Sequence, residues 1–152
     1  MKRRLLIMTL LALCLAMALS ACTLLKDKGY YEMGKDRITS IGGAVGERKM
    51  IGIDASINNG MQTNTYKYQT DPNDETQAAN DVYNYLVYLR ENDGFLMAVD
   101  IPDFPYAGGI EVQAIKESAD EGKVIVLDID YNTKGYTLVF AKYEDTIVYY
   151  DE

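Results

Sequence analysis

The chain contains no histidine and no tryptophan, and both of its cysteines, Cys14 and Cys22, lie near its beginning. Without an imidazole, catalysis by Ser-His-Asp or Cys-His arrangements is excluded, and so are the imidazole sites that zinc and copper prefer. Residues 23 to 152 contain no thiol, so no disulfide can form among them. They are numerous enough for a single domain, which must be stabilised by one hydrophobic core.

Basic residues are scarce as well, with 15 Lys and Arg against 23 Asp and Glu and a net charge of −8. Three of the basic residues and none of the acidic ones fall within residues 1 to 21, which leaves 12 basic against 23 acidic residues, or −11, in the rest of the chain. Those 12 basic residues form no cluster, whereas nucleic-acid binding requires a basic patch that displaces counterions from phosphate. We therefore expect no nucleic-acid partner and no direct attraction to anionic lipid.

An apolar run over residues 5 to 21 follows Lys2, Arg3 and Arg4 and ends directly before Cys22. A positively charged start, an apolar middle and small residues ahead of a cleavage point are the layout of a secretory signal. The run is shorter than the ~20 residues that cross a bilayer as a helix. The pattern therefore favours export and cleavage over a permanent membrane span.

The tetrapeptide LSAC at positions 19 to 22 resembles the lipobox of bacterial lipoproteins, with Leu19 three positions before the cysteine and two small residues between them. The resemblance implies that a peptidase cleaves before Cys22, that diacylglycerol is attached to its sulfur, and that the new amino group is often acylated. Two acyl chains anchor a protein stably, whereas one gives only marginal binding. The resemblance thus implies an exported protein, held by lipid on Cys22 at the extracytoplasmic face of the cell membrane.

The resemblance, which covers residues 1 to 22, and the patterns along the rest of the chain together predict the domain organisation. Residues 1 to 21 are the signal peptide, residues 22 to 46 are the lipidated N-terminus and a tether, and residues 47 to 152 form one domain. The tether is expected because residues 23 to 46 mix charge, Tyr and Gly without a sustained period, apart from a short strand at residues 38 to 41. Two alternatives stay open: an uncleaved transmembrane anchor, and cleavage after Ala18 or Ala21 by the ordinary signal peptidase.

A β-hairpin is the clearest local prediction. From residue 51 to residue 57, isoleucine or alanine alternates with small or polar residues, which is the period of a strand with one buried face. Asn59 and Gly60 follow and suit a two-residue type I′ turn, which places Asn58 opposite Met61. The same register predicts two pairs on the buried face, Ile53 with Tyr66 and Ile51 with Tyr68.

A helix is predicted to begin at Asp71 and Pro72 and to end at Gly94. Its apolar stripe, which should pack on a sheet, consists of Ala78, Val82, Tyr85, Leu86 and Leu89. Strand composition recurs at residues 95–101, 110–117, 123–131, 136–143 and 146–150. Residues 132 to 135 have the form of a three-residue hairpin loop with Gly135 in the left-handed position.

This order of elements predicts an α+β domain. Its curled antiparallel β-sheet has about six or seven short strands, and one main helix packs on one face of the sheet to give two layers.

Two stretches are candidates for function. Residues 102 to 109, PDFPYAGG, form a predicted loop, and aromatic loops on a rigid scaffold often carry function. Tyrosine, with 13 residues against three Phe, suits binding because it offers a large contact area with a polar tip at low entropic cost. The candidate partner-binding residues of this loop are Phe104, Tyr106, Gly108 and Gly109.

The second stretch contains Asp128, Asp130 and Asn132, a D-x-D-x-N sequence that resembles the start of an EF-hand calcium loop. The rest of that loop is missing, since Thr133 stands where glycine is needed and Val139 where glutamate is needed. These three residues are therefore weak candidates for a cation site, and the sequence predicts no metal centre and no cofactor.

No motif marks an active site, because neither S-x-x-K nor G-x-S-x-G occurs and no carboxylate pair is singled out. We therefore predict a membrane-anchored, non-enzymatic binding or assembly module of the bacterial cell envelope. Its expected partners are the membrane, through lipid on Cys22, and an envelope protein or peptide that binds the aromatic loop or an exposed sheet edge. Two alternatives stay open: a small-ligand or calcium-binding lipoprotein, and an envelope hydrolase that uses carboxylates.

Overall fold

The structure is a computed structural model and describes residues 25 to 97 and 112 to 148. The signal segment, Cys22 and the loop with Phe104, Tyr106, Gly108 and Gly109 lie outside the described residues, so what the sequence predicts for them stays a prediction. Among the described residues, no helix is long and apolar enough to cross a membrane.

The described residues form eight strands and two helices. The first part of the chain forms β1 (Tyr30–Met33), β2 (Asp36–Thr39), α1 (Ile41–Val45), β3 (Lys49–Asn58) and β4 (Met61–Gln69). It is followed by α2 (Gln77–Asn92), β5 (Leu96–Met97), β6 (Val112–Glu117), β7 (Lys123–Asn132) and β8 (Gly135–Glu144). Residues 146 to 148, the described part of the last predicted strand, are not a strand.

Six of the strands form one antiparallel sheet in the order β3-β4-β8-β7-β6-β5, and β1 and β2 form a separate hairpin. The main helix α2 contacts β7 and β8 in the middle of this sheet. Every residue of the predicted apolar stripe is buried. The α+β prediction, with an antiparallel sheet and one main helix on one face, is confirmed.

The predicted start of the helix is wrong by five residues, because the N-cap is Thr76 and not Asp71. Asp71 and Asp74 use their side chains in turns of their own: Oδ1 of Asp71 accepts from Asn73 N at 2.8 Å, and Oδ1 of Asp74 accepts from Thr76 N at 3.0 Å. The helix begins only after these turns, at Gln77. Short acidic side chains that bond to the backbone two residues later compete with helix formation.

The β3–β4 hairpin confirms two predicted pairs, Asn58 with Met61 and Ile53 with Tyr66. The third pair is wrong, because an irregularity between Met50 and Gly52 places Met50, and not Ile51, opposite Tyr68. A bulge shifts every later pair by one residue, and nothing in the alternating pattern announces it.

Residues 30 to 45 are part of the domain, so the prediction of a tether over residues 22 to 46 is wrong for this stretch. Four side chains from it are almost completely buried in the core: Tyr31, Met33, Ile38 and Ile41. Ile38 lies in β2 as predicted, but Ile41, the last residue of the predicted strand, begins α1. Two strands of four residues and a helix of five are too short for a periodic pattern to reveal them.

Candidate functional site

The three candidate cation ligands lie on β7 and its turn. Asp128 is exposed and accepts from Gln113 Nε2 at 3.0 Å on the neighbouring strand. Oδ1 of Asn132 accepts from Lys134 N at 2.8 Å, which makes this side chain part of the β7–β8 turn. The structure brings no group of three or more His, Cys, Asp or Glu together as a metal site within residues 25–97 and 112–148.

A buried ion cluster joins the β1–β2 hairpin to the sheet. Nζ of Lys142, on β8, donates to Met33 O at 2.7 Å and to Asp36 Oδ2 at 2.8 Å, and it also donates to Asp120. Ser118 Oγ donates to the same carboxylate of Asp36 at 2.5 Å. Burial alone lowers the pKa of Lys142, but its hydrogen bonds to Asp120 and Asp36 outweigh burial and raise that pKa above its usual value.

This cluster has the composition of a serine-lysine site but not its chemistry. A lysine that serves as a general base must lose its proton near neutral pH, whereas Lys142 is held in its charged form by two carboxylates. The hydroxyl of Ser118 points its proton at Asp36 and not at the lysine. The cluster therefore has a structural role: it holds the β1–β2 hairpin against β8.

A second ion pair fixes the beginning of β3. Arg48 binds the carboxylate of Asp81 on α2 in a bidentate manner, with Nε at 2.6 Å and Nη2 at 2.7 Å. The hydroxyl of Tyr136 donates to the same carboxylate at 3.3 Å. Such a forked pair holds both position and orientation, so the chain entering β3 is tied firmly to the main helix.

A third polar cluster, centred on Asp27, fixes the first described residues. Oδ1 of Asp27 accepts from Gly29 N at 2.8 Å and from Ser40 Oγ. Its Oδ2 accepts from the hydroxyl of Tyr68 at 2.7 Å and from Gly42 N at 3.1 Å. Four donors from three separate parts of the chain therefore bind one carboxylate. These hydrogen bonds fix the chain to the domain from residue 27 onward.

Two tyrosines extend this cluster into the core. The hydroxyl of Tyr31 lies 2.7 Å from that of Tyr68 and accepts from Ile41 N at 3.2 Å. Because Tyr68 gives its proton to Asp27, the proton between the two hydroxyls comes from Tyr31. Burial raises the pKa of Tyr68 far above its usual value, and Tyr31 and Asp27 raise it further. Both tyrosines therefore stay neutral and serve as fixed hydrogen-bond donors.

Two adjoining grooves lie beside Asp27. The first, about 230 Å³, lies between β1 and β3 and is lined on its apolar side by Tyr30, Tyr31, Met50, Ile53 and Tyr66. The second, about 380 Å³, runs along the chain that enters β3, from Glu47 to Met50. Lys26, Asp27 and Met50 line both grooves, which therefore form one continuous depression, named here the β3 groove.

The edge of the sheet next to this groove is open. Among the described residues, β3 pairs with β4 on one side and with no strand on the other. Ile51 is 54% exposed, Ile53 is 51% exposed and Ile57 is 79% exposed. Ala55 is exposed as well, so the predicted burial of this strand face is wrong. The main helix contacts β7 and β8, and Tyr31 covers Tyr66 of β4, so neither covers β3.

An open strand of ten residues with exposed isoleucines is a template for one more strand. Its free backbone N–H and C=O groups supply hydrogen bonds, and its side chains supply contacts at every second position. Sheet edges of monomeric proteins are usually blunted by charge or proline, yet β3 carries only Lys49 and Asp54 as charged residues and no proline.

Sequence reasoning named an exposed sheet edge as a possible binding surface but did not identify β3. The role of Asp27 was missed entirely, because its donors lie up to 41 positions away along the chain.

No family model matches the chain, and no curated protein or solved structure matches it either.

Proposed function

We propose that this protein is a bacterial lipoprotein, anchored by lipid on Cys22 at the extracytoplasmic face of the cell membrane, and that its domain is a non-enzymatic binding module. The module binds an extended segment of a partner protein as an added strand along β3. The observation that carries this proposal is the open edge of β3 with its three exposed isoleucines.

The energetics favour an added strand over a loosely held peptide. Each backbone hydrogen bond contributes about 0.5 to 1.5 kcal/mol in net terms, and covering a half-exposed isoleucine contributes about 1 kcal/mol. The strand is presented rigidly, because Arg48 holds its start to Asp81 of α2 and β4 holds it along its length. A rigid edge leaves only the partner segment to be ordered on binding.

Charge indicates the composition of the partner segment. β3 carries one basic and one acidic residue, so the residues that face it are uncharged, with apolar side chains at alternate positions. The protein as a whole is acidic, with a net charge of −8 before any cleavage. Basic residues flanking the partner segment would therefore speed its association.

The state of the carboxylates supports binding over hydrolysis. A glycosidase needs two carboxyl groups that face each other across a cleft. Asp27, Asp36 and Asp81 instead accept hydrogen bonds from tyrosine, lysine or arginine side chains within the fold. These carboxylates hold elements together.

Site-specific photo-crosslinking in cells tests the proposal. The full chain, with its signal intact, carries p-benzoylphenylalanine in place of Ile53 or Ile57 and is expressed in bacteria. We expect discrete cross-links to another protein from both positions. Val148, an apolar residue outside β3 that is 66% exposed, is the control position and should give none. Mass spectrometry of the cross-linked peptide then identifies the partner segment.

A synthetic copy of that segment completes the test. Methylation of alternate backbone nitrogens on one edge of the peptide should abolish binding to the purified domain, whereas methylation of the other set should not, because only one edge of an added strand pairs with β3. Ile53→Lys should weaken binding more than Val148→Lys. Cross-links to a second copy of this chain, cross-links to lipid, or equal cross-linking from position 148 would each contradict the proposal.

A further inference from the structure

We propose that the partner segment is membrane-proximal and belongs to a protein of the same membrane. The inference deepens the proposed function and rests on its two parts, lipidation of Cys22 and strand addition to β3. It follows from the short stretch of chain between Cys22 and Asp27 and from the position of Asp27 beside β3.

The first step is the short covalent connection. Asp27 is fixed by four hydrogen bonds to Gly29, Ser40, Gly42 and Tyr68. Cys22 stands five positions before it, and a fully extended chain of this length spans at most about 18 Å. The acyl chains on Cys22 therefore hold Asp27 within about 18 Å of the membrane surface, much closer than a tether reaching to residue 46 would.

The second step connects Asp27 to β3. The hydroxyl of Tyr68 donates to Asp27 at 2.7 Å, and Tyr68 stands directly opposite Met50 in the β3–β4 ladder. Ile53 and Met50 line the same groove as Lys26 and Asp27. The first half of β3 is thus a direct neighbour of the fixed N-terminal segment.

The third step concerns what can occupy this space. Exposed Lys26, Lys28 and Lys49 lie along the β3 groove, but Asp27, Glu32 and Glu47 line it as well. Arg48 lines the groove too, but its charge is neutralised by its pair with Asp81. The remaining three basic and three acidic side chains balance, so the groove has no net attraction for an anionic lipid surface. A polypeptide segment that leaves the same bilayer carries backbone groups able to pair with β3. Its protein and the anchored domain would both diffuse in the plane of one membrane.

Confinement to one membrane strengthens such a contact without new interactions. Two proteins held close to the same membrane meet at a high effective concentration. This concentration falls when the chain that links the domain to its anchor no longer places β3 at the height of the partner segment. A short connection therefore favours partners whose recognised segment lies near the bilayer, and it disfavours partners that diffuse freely.

A rigid spacer tests this inference. A helical insert of about 30 residues between Leu24 and Leu25 lifts the domain by about 45 Å. We expect the cross-linking yield from position 53 to fall at least about fivefold, while the purified variant binds the synthetic partner segment as tightly as the unmodified protein. The same insert placed after Glu152 serves as control and should leave the yield unchanged.

The outcomes separate this inference from the proposed function. An unchanged cross-linking yield in the lifted variant, together with normal peptide binding, would overturn the membrane-proximal partner and leave strand addition standing. Equal cross-linking in a Cys22→Ser variant released from the membrane would overturn it as well. Loss of peptide binding in the unmodified protein would overturn the proposed function and this inference with it.

Discussion

Lys142 is a charged side chain in the interior, only 3% exposed, and it is paired with Asp36 and Asp120. Removal of one partner of a buried ion pair leaves the other charge without compensation. We therefore expect Lys142→Met to lower the free energy of unfolding by about 3 to 5 kcal/mol. Urea titration at neutral pH, followed by circular dichroism, measures the loss.

Lys35 provides the matched control, because it also faces Asp120, at 3.6 Å, but its side chain is 76% exposed. Exposed pairs contribute about 0 to 1 kcal/mol, so Lys35→Met should change the unfolding free energy little. Equal effects of the two substitutions would contradict a stabilising role of the buried ion cluster.

Buried tyrosines predict alkaline unfolding. Burial raises the pKa of Tyr31, Tyr68, Tyr85 and Tyr136 above the usual value of 10.0. As pH rises through 10, the unfolded chain releases these protons and the folded domain does not, so the free energy of unfolding falls. Urea titrations at increasing pH should show this loss. A curve that stays flat above pH 10 would contradict the buried state of these hydroxyls.

Asp27 accepts four hydrogen bonds in the structure, yet the sequence gives no sign of this role. Asp27 stands in a stretch of mixed charge and glycine without periodicity, and its donors come from α1, from β4 and from the turn that follows it. A local pattern carries no information on contacts that depend on how distant strands meet. The predicted apolar stripe of α2, by contrast, was correct because a 3.6-residue period is a local property.

At the scale of elements, Gly135 marks a close approach between β8 and β4. The sequence predicts a left-handed glycine in a three-residue loop, whereas the structure pairs Gly135 directly with Asn132 around a two-residue turn. A Cβ atom at Gly135 would lie 2.1 Å from the carbonyl oxygen of Tyr68 on β4. The glycine is required by this close approach as well as by its φ of +156°.

Gly135→Ala should therefore force β4 and β8 apart and lower the free energy of unfolding by about 3 kcal/mol. Gly60→Ala is the matched control, since its φ of +84° is also positive but nothing lies within 4 Å of the added Cβ. That substitution should cost about 1 kcal/mol. Thermal or urea unfolding of both variants measures the difference, and equal losses would contradict the close approach.

The elements predicted correctly are those with a long local signal. α2 spans 16 residues and β3 spans ten, and the Asn59-Gly60 turn fixes the hairpin register. The elements missed are β1 and α1, and β2 was predicted only in part; none of the three is longer than five residues. The β3 bulge was missed because one inserted residue leaves no trace in composition.

At the scale of the whole molecule, the short connection between Cys22 and Asp27 sets how close to the membrane the proposed lipoprotein would hold its domain. The sequence predicts a tether of some two dozen residues, but residues 30 to 45 are folded into the core. Anchoring itself is tested by intact-mass measurement on detergent-extracted protein. We expect the mass to lack residues 1 to 21 and to include a diacylglyceryl group on Cys22.

The Cys22→Ser variant is the control for anchoring and should leave the membrane fraction. A variant that stays equally membrane-bound, or a native mass without added lipid, would contradict the lipoprotein assignment. Strand addition to β3 would then remain as a proposal, but the inference of a membrane-proximal partner would be lost.

Strand addition to β3 is tested most directly by amide hydrogen exchange of this strand, measured by NMR with and without the synthetic partner segment. Successive N–H groups of a strand point to opposite sides, so only those on the open edge of β3 gain a partner. We expect slower exchange at every second residue between Gly52 and Asn58, where the ladder with β4 is regular, with the β4-facing amides unchanged. Uniform protection of the strand, or no protection at all while the peptide is bound, would contradict strand addition.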